Sequence, residues 1–137
     1  MTEARLDHIA IAVANLQEAM RFYIEALGLK LDSVEEVEDQ GVRLAKLAVG
    51  SSHIELLEPL SPQTPVGKFL QGRGPGLHHV CLGVDDIAAR LAALKSRGVR
   101  LIDDSPRRGA GGASIAFIHP KATSGVLIEL SQPAGKK

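Results

Sequence analysis

Two histidines and two glutamates recur at matched places along this chain. His8 stands in Asp7-His8-Ile9-Ala10-Ile11, and His79 in His78-His79-Val80-Cys81-Leu82. Glu55 stands in His53-Ile54-Glu55-Leu56-Leu57, and Glu129 in Val126-Leu127-Ile128-Glu129-Leu130. Two imidazoles and two carboxylates form a donor set for Zn²⁺, Co²⁺, Ni²⁺ or Mn²⁺, with positions left for water or substrate. Taken singly, each residue has a plainer reading. A histidine at a strand start is ordinarily structural, and a glutamate in an alternating strand ordinarily faces solvent. Their recurrence as His–Glu pairs, with offsets that differ by only a few residues, argues instead for one divalent-metal site of pseudo-twofold symmetry.

The elements that must carry these residues also repeat, and a repeat decides the fold. Residues 5–13 alternate large and small and read as a strand. Asn15 suits a helix N-cap, Leu16, Ala19, Met20, Tyr23 and Leu27 follow at helical spacing, and Gly28 suits the helix end. Strands are expected over 29–34, 42–49 and 53–57, the last two joined by a turn at Gly50-Ser51-Ser52. The second copy offers a strand over 77–84 and a helix capped by Asp85-Asp86. That helix has Ile87, Leu91 and Leu94 as its apolar stripe and Gly98 at its end. Strands over 101–102, 113–118 and 125–130 follow. Residues 59–65 read as a proline-rich linker, and 107–112 and 119–125 as loops. The expected fold is α+β: two tandem βαβββ modules, about 5–58 and 76–131, in a single domain over 1–137. They would form a curved mixed sheet around the metal site. Residues 134–137 read as a frayed tail.

Strand alternation assigns faces. Ile9, Ile11 and Val13 oppose His8, Ala10 and Ala12; Val80, Leu82 and Val84 oppose His79, Cys81 and Gly83. Glu55 and Glu129 oppose the apolar pairs Ile54/Leu56 and Ile128/Leu130. Large aliphatics on one face suit packing under a helix, while small residues beside each histidine leave room. All four polar residues can therefore share one sparsely filled face. A carboxylate there needs compensation, because burying charge is costly, and a dication supplies it. His53 has the parity of Glu55 and is the rival ligand, but the second copy has Leu127 in its place. His78 has the wrong parity and reads as structural or exposed, His119 lies in a loop, and Cys81 reads as a small filler.

Composition bounds the setting. At 137 residues the chain suits one domain, by a prior of roughly 150 residues per domain. Hydrophobic residues are 45% but aromatics only 3%, so the core is aliphatic. Sixteen basic against sixteen acidic residues give no electrostatic reason to expect nucleic acid or an anionic membrane. One cysteine excludes an internal disulfide framework and fits a reducing compartment. No run approaches the ~20 apolar residues of a membrane span, and the first residues are not of signal-peptide type. A cytoplasmic setting is expected.

With these residues in place, the chain resembles the vicinal oxygen chelate superfamily, built from paired βαβββ modules, and within it the methylmalonyl-CoA epimerase family. The resemblance runs from about Asp7 to Leu130. The opening strand is common to the superfamily. Gly109-Ala110-Gly111-Gly112-Ala113 and His119-Pro120-Lys121-Ala122-Thr123 are more specific to the epimerases, and segments 38–43, 54–59 and 77–80 add to them.

The resemblance implies an isomerase of propionate metabolism that interconverts (R)- and (S)-methylmalonyl-CoA. It implies a divalent metal (Co, Mn, Zn or Ni) on His8, Glu55, His79 and Glu129, and a homodimer. Glu129 is implied as both ligand and base. Certain epimerases carry a glutamate at the position of Leu44 and can place glutamine where this chain has Glu55; here the pattern is reversed. Glu55 is therefore expected to oppose Glu129 as the second acid–base group, with Glu36, Glu38 or a water as substitutes. Gly111, Gly112 and Lys121 are expected to meet the substrate through backbone N–H groups and an ammonium. Arg107 and Arg108 read as solvated. The rival functions are a glyoxalase I-type lactoylglutathione lyase, a two-His, one-Glu dioxygenase and a non-catalytic small-molecule-binding module. The epimerase-like loops count against the first, Glu55 against the second and the full ligand set against the third.

Overall fold

The alternating segments and their capped helices build one kind of unit twice. The computed structural model describes residues 2–135. Met1, Lys136 and Lys137 lie outside them, and with them the end of the tail expected to fray. The chain divides into two compact units: His8–His78, and the residues up to Asp7 together with those from His79 onward.

In the His8–His78 unit, residues His8–Ala12 of β1 (Arg5–Ala12) pair in parallel with β4 (Ser52–Pro59). β3 (Val42–Val49) lies antiparallel to β4, and β2 (Lys30–Val37) antiparallel to β3. The helix expected after Asn15 forms. The Asn15 side chain accepts from the Glu18 N–H at 2.9 Å, satisfying one of the first-turn donors a helix leaves open. α1 (Leu16–Met20) widens into a π-helical turn over Arg21–Ala26, which the residue spacing does not announce. Gly28 then ends it in the left-handed region. Tyr23 and Ile24 of the wide turn pack with Ile11 and Ile54 against Val13, Leu16, Ala45, Leu47 and Leu56. The large-residue face of β1 therefore lies under the helix, as its alternation predicts. Burial of each Leu-sized side chain there is worth about 1.5–3 kcal/mol.

The segment after β4 differs from the linker expected. Thr64 caps a helix, α2 (Pro65–Arg73), its hydroxyl accepting from the Gly67 N–H at 3.1 Å. Thr64-Pro65 is an N-cap followed by proline at N1, a start signal that the two glycines inside the helix obscure.

The second unit repeats the order. β5 (Gly76–Gly83) pairs in parallel with β8 (Ile128–Gln132), and β7 (Ser114–Ile118) lies antiparallel to β8. Asp86 caps α3 (Ile87–Ser96) through the Ala89 N–H at 3.0 Å. The Gln132 side chain accepts from the Ile87 N–H at 2.9 Å, tying the helix start to β8. Val84, Ile87, Leu91, Ala116, Ile118 and Leu130 form the core between helix and sheet. The strand expected over 101–102 is reduced to a single bridge between Leu101 and Ile118. The N–H groups of Ile102 and Asp103 both donate to the Phe117 carbonyl, so the ladder cannot continue. The edge strand is instead β6 (Arg107–Arg108), inside a segment that reads as loop, and it pairs with β7. Both units thus have the βαβββ order of the α+β fold expected. No helix among the described residues is long and apolar enough to cross a membrane.

Candidate metal centre

Register places each glutamate beside its histidine by the same rule in both units. In β1 and β4, Ala10 is the partner of Glu55, and His8 lies two residues before Ala10 on the same face. In β5 and β8, Cys81 is the partner of Glu129, and His79 lies two residues before Cys81. Each His–Glu pair is therefore a diagonal across a parallel strand pair, and residues of one strand parity face the same side.

The side chains meet as the parity predicts. His8 Nδ1 lies 3.3 Å from Glu55 Oε2, and His79 Nε2 lies 2.8 Å from Glu129 Oε1. All four are buried, at 3–5% exposure. Two donors at ~2.1 Å from one ion stand about 3–3.5 Å apart in tetrahedral or octahedral geometry. Both separations are near that range. A buried carboxylate needs a countercharge, and a neutral imidazole beside it supplies only a hydrogen bond. The donor set of each unit, one nitrogen and one carboxylate oxygen, is of the kind that binds zinc or another transition metal.

The surroundings of the pairs follow from their rows. Beside Glu55, β3 presents Lys46 in register, with Leu44 and its partner Leu57 next along the same face. Leu44 is 1% exposed, a sealed aliphatic where a proton carrier would need a polar side chain. His53, the rival ligand, is the register partner of His8, but its Nε2 is engaged by Asp32 Oδ2 at 2.8 Å. Asp32 reaches it from the position where the β2–β3 register shifts. His78 stacks edge-on against Phe69 at 4.9 Å, a structural role. Cys81 is fully buried opposite Glu129.

The remaining expected residues lie on turns of the second unit. Gly111 and Gly112 have φ of 65° and 77° within the 3-10 turn Ala110–Gly112, a backbone shape that favours glycine. Lys121 sits in the turn Pro120–Ala122, and its N–H donates to His119 Nδ1 at 3.0 Å. Partial burial, then the charges of Arg100 and Lys121, hold the His119 imidazole below the usual histidine range.

Phe117, beside His79, and the Arg107 and Asp103 that contact Phe117 escape the sequence reading. The Phe117 ring meets the His79 ring edge-on at 5.3 Å, and Phe117 is the register partner of Glu129. The Arg107 guanidinium lies 5.7 Å from the centre of the Phe117 ring. Asp103 accepts from the Phe117 N–H at 2.8 Å and pairs with Arg107 Nε at 3.2 Å. A two-residue strand between a proline and a glycine is too short for alternation to reveal, so Arg107 reads as solvated.

The sequence profile of the glyoxalase/bleomycin resistance protein/dioxygenase superfamily matches residues 7–117. The mitochondrial methylmalonyl-CoA epimerase of Mus musculus is 40% identical over 129 residues, covering 93% of this chain and 72% of that protein. A crystal structure of methylmalonyl-CoA epimerase from Mycobacterium tuberculosis is 45% identical, with a TM-score of 0.91 over 95% of this chain and 88% of that one. A structure of methylmalonyl-CoA epimerase in complex with methylmalonyl-CoA and NH4+ is 40% identical. Its TM-score is 0.93 over 98% of this chain and 97% of that one.

Proposed function

The chain belongs to the glyoxalase/bleomycin resistance protein/dioxygenase superfamily, and on that premise we propose that it interconverts (R)- and (S)-methylmalonyl-CoA. It is an isomerase of the epimerase class, like the relatives that share 40–45% of its residues. The observation that carries the reading is the duplicated buried His–Glu pair. We assign His8, Glu55, His79 and Glu129 to one divalent ion, which is Co, Mn, Zn or Ni. Support comes from the identical strand positions of the two pairs and from their donor chemistry. Bound there, the ion supplies Lewis-acid polarisation of the thioester carbonyl, worth several kcal/mol.

The residues of the chain do the rest. The reacting carbon lies between a thioester and a carboxylate, so its proton is removable once the enolate is stabilised. Glu129 takes that proton, and Glu55 delivers one to the opposite face of the planar enolate; the reverse reaction exchanges the roles. Leu44 cannot carry a proton, and we give the second role to Glu55 ahead of Glu36, Glu38 or a water. Gly111, Gly112 and Lys121 contact the CoA moiety or the substrate carboxylate. The two units act as one catalytic domain, in a homodimer. The lone buried thiol of Cys81 suits a reducing, cytoplasmic setting, and the reaction belongs to propionate metabolism.

The test is to give metal-loaded and chelator-treated protein methylmalonyl-CoA in D₂O, following α-proton exchange and epimer conversion. Metal-dependent exchange with conversion is the expected result. Absence of metal-dependent exchange overturns the reading, and turnover of a glutathione hemithioacetal instead points to the lyase.

A further inference from the structure

Arg107 lies on the face that carries Glu129. Phe117 is opposite Glu129 in register, Ile115 lies two residues before Phe117 on the same face, and Arg107 is opposite Ile115. Arg108, of the other parity, is exposed. The guanidinium does not hang freely from an edge. Its Nε is buried and 3.2 Å from Asp103, its carbon sits over the Phe117 ring, and the side chain keeps 34% of its exposure. Asp103 also accepts from the Phe117 N–H, so one carboxylate ties the guanidinium to the backbone of β7. Gly109 holds β6 close to that strand, since a Cβ there would come within 2.7 Å of Ile115 Cγ2.

A guanidinium held in this way recognises a planar anion with little further loss of side-chain freedom. The proposed substrate brings such an anion. Its α-carbon carries a carboxylate, and that carbon must approach Glu129, a like charge that repels it. From this juxtaposition we infer that Arg107 is a substrate-binding residue that pairs with the carboxylate of the malonyl group, with Asp103 as its positioning residue. The inference rests on the epimerase reading and adds to it the group that selects a dicarboxylic acyl-CoA over a monocarboxylic one.

Calorimetric titration of the metal-loaded protein with methylmalonyl-CoA, propionyl-CoA and coenzyme A tests it. All three carry the nucleotide phosphates, but only the first carries the carboxylate. Arg107→Gln is expected to weaken methylmalonyl-CoA about 10- to 100-fold, the range of one charge-assisted contact, and to leave the other two unchanged. Arg107→Lys recovers part of the loss. Asp103→Asn gives a smaller loss of the same selectivity, and it serves as the second variant should Arg107→Gln fold poorly. Equal weakening of all three ligands assigns Arg107 to a phosphate and overturns the inference, as do unchanged affinities. Failure of the wild-type protein to bind or epimerise methylmalonyl-CoA overturns the epimerase reading, and is seen before any variant is made.

Discussion

His79 Nε2 and Glu129 Oε1 stand 2.8 Å apart, on two parallel strands and almost sealed from solvent. His8 and Glu55 repeat the relationship at 3.3 Å in the other unit. On the proposed assignment a dication would answer the charge of both carboxylates, so metal binding is expected to stabilise the fold. Thermal unfolding with and without excess Co²⁺ or Mn²⁺ measures this. Saturation at 100 times Kd stabilises the protein by about 2.7 kcal/mol, and Glu129→Gln with Glu55→Gln removes most of the gain. A Tm indifferent to the ion contradicts the assignment.

Glu55→Gln separates the two proton transfers. The variant is expected to retain α-proton exchange from one epimer, because Glu129 is intact, while epimerisation falls by about 10²- to 10⁴-fold. Proton NMR in D₂O on each epimer distinguishes these. Epimerisation at the wild-type rate eliminates Glu55 as a base.

Leu44 offers the complementary experiment. Its side chain shares the strand face of Glu55, one row along, next to Leu57. A carboxylate introduced there would give the arrangement that the resemblance implies for certain epimerases, with glutamate at position 44 and glutamine at position 55. The double variant Leu44→Glu with Glu55→Gln is expected to recover epimerisation lost in Glu55→Gln alone, at some cost in stability. No recovery in a folded, metal-binding double variant refutes an exchange of roles between the two positions.

Two glycines of α2 are expected to respond in opposite directions. A Cβ at Gly67 would lie 2.4 Å from the Ser61 carbonyl oxygen and 2.7 Å from that of Pro62, backbone atoms that cannot yield cheaply. Gly72 has open space around it. Gly72→Ala should raise stability by about 0.4–1 kcal/mol through helix propensity and unfolded-state entropy, whereas Gly67→Ala lowers it by about 1–3 kcal/mol. Chemical denaturation of the two variants checks the sign.

In the aliphatic core, Leu56 is fully buried between β4 and α1. Leu56→Ala should cost about 2–5 kcal/mol, visible as a lower denaturation midpoint with an unchanged slope. A cost below 1 kcal/mol indicates that the sheet collapses around the cavity.

The sequence by itself determined the duplicated unit, the aliphatic core face and the four positions, His8, Glu55, His79 and Glu129, that share one strand parity. These follow from local rules: side chains alternate along a strand, Asn15 and Asp86 cap helices through their own next turn, and Gly28 and Gly98 adopt left-handed conformations at helix ends. Tertiary structure alone decided the rest. Strand register set which carboxylate lies beside which imidazole, and at what distance. The hydrogen bonds of Ile102 and Asp103 to Phe117 ended one expected strand, and pairing with Ile115 and Ser114 made another of Arg107 and Arg108. Arg107 came to lie over Phe117 by the same pairing. Alternation belongs to a strand and is written in its residues. Pairing joins strands distant in sequence, and its partner is chosen only when packing, hydrogen bonds and charge are satisfied together.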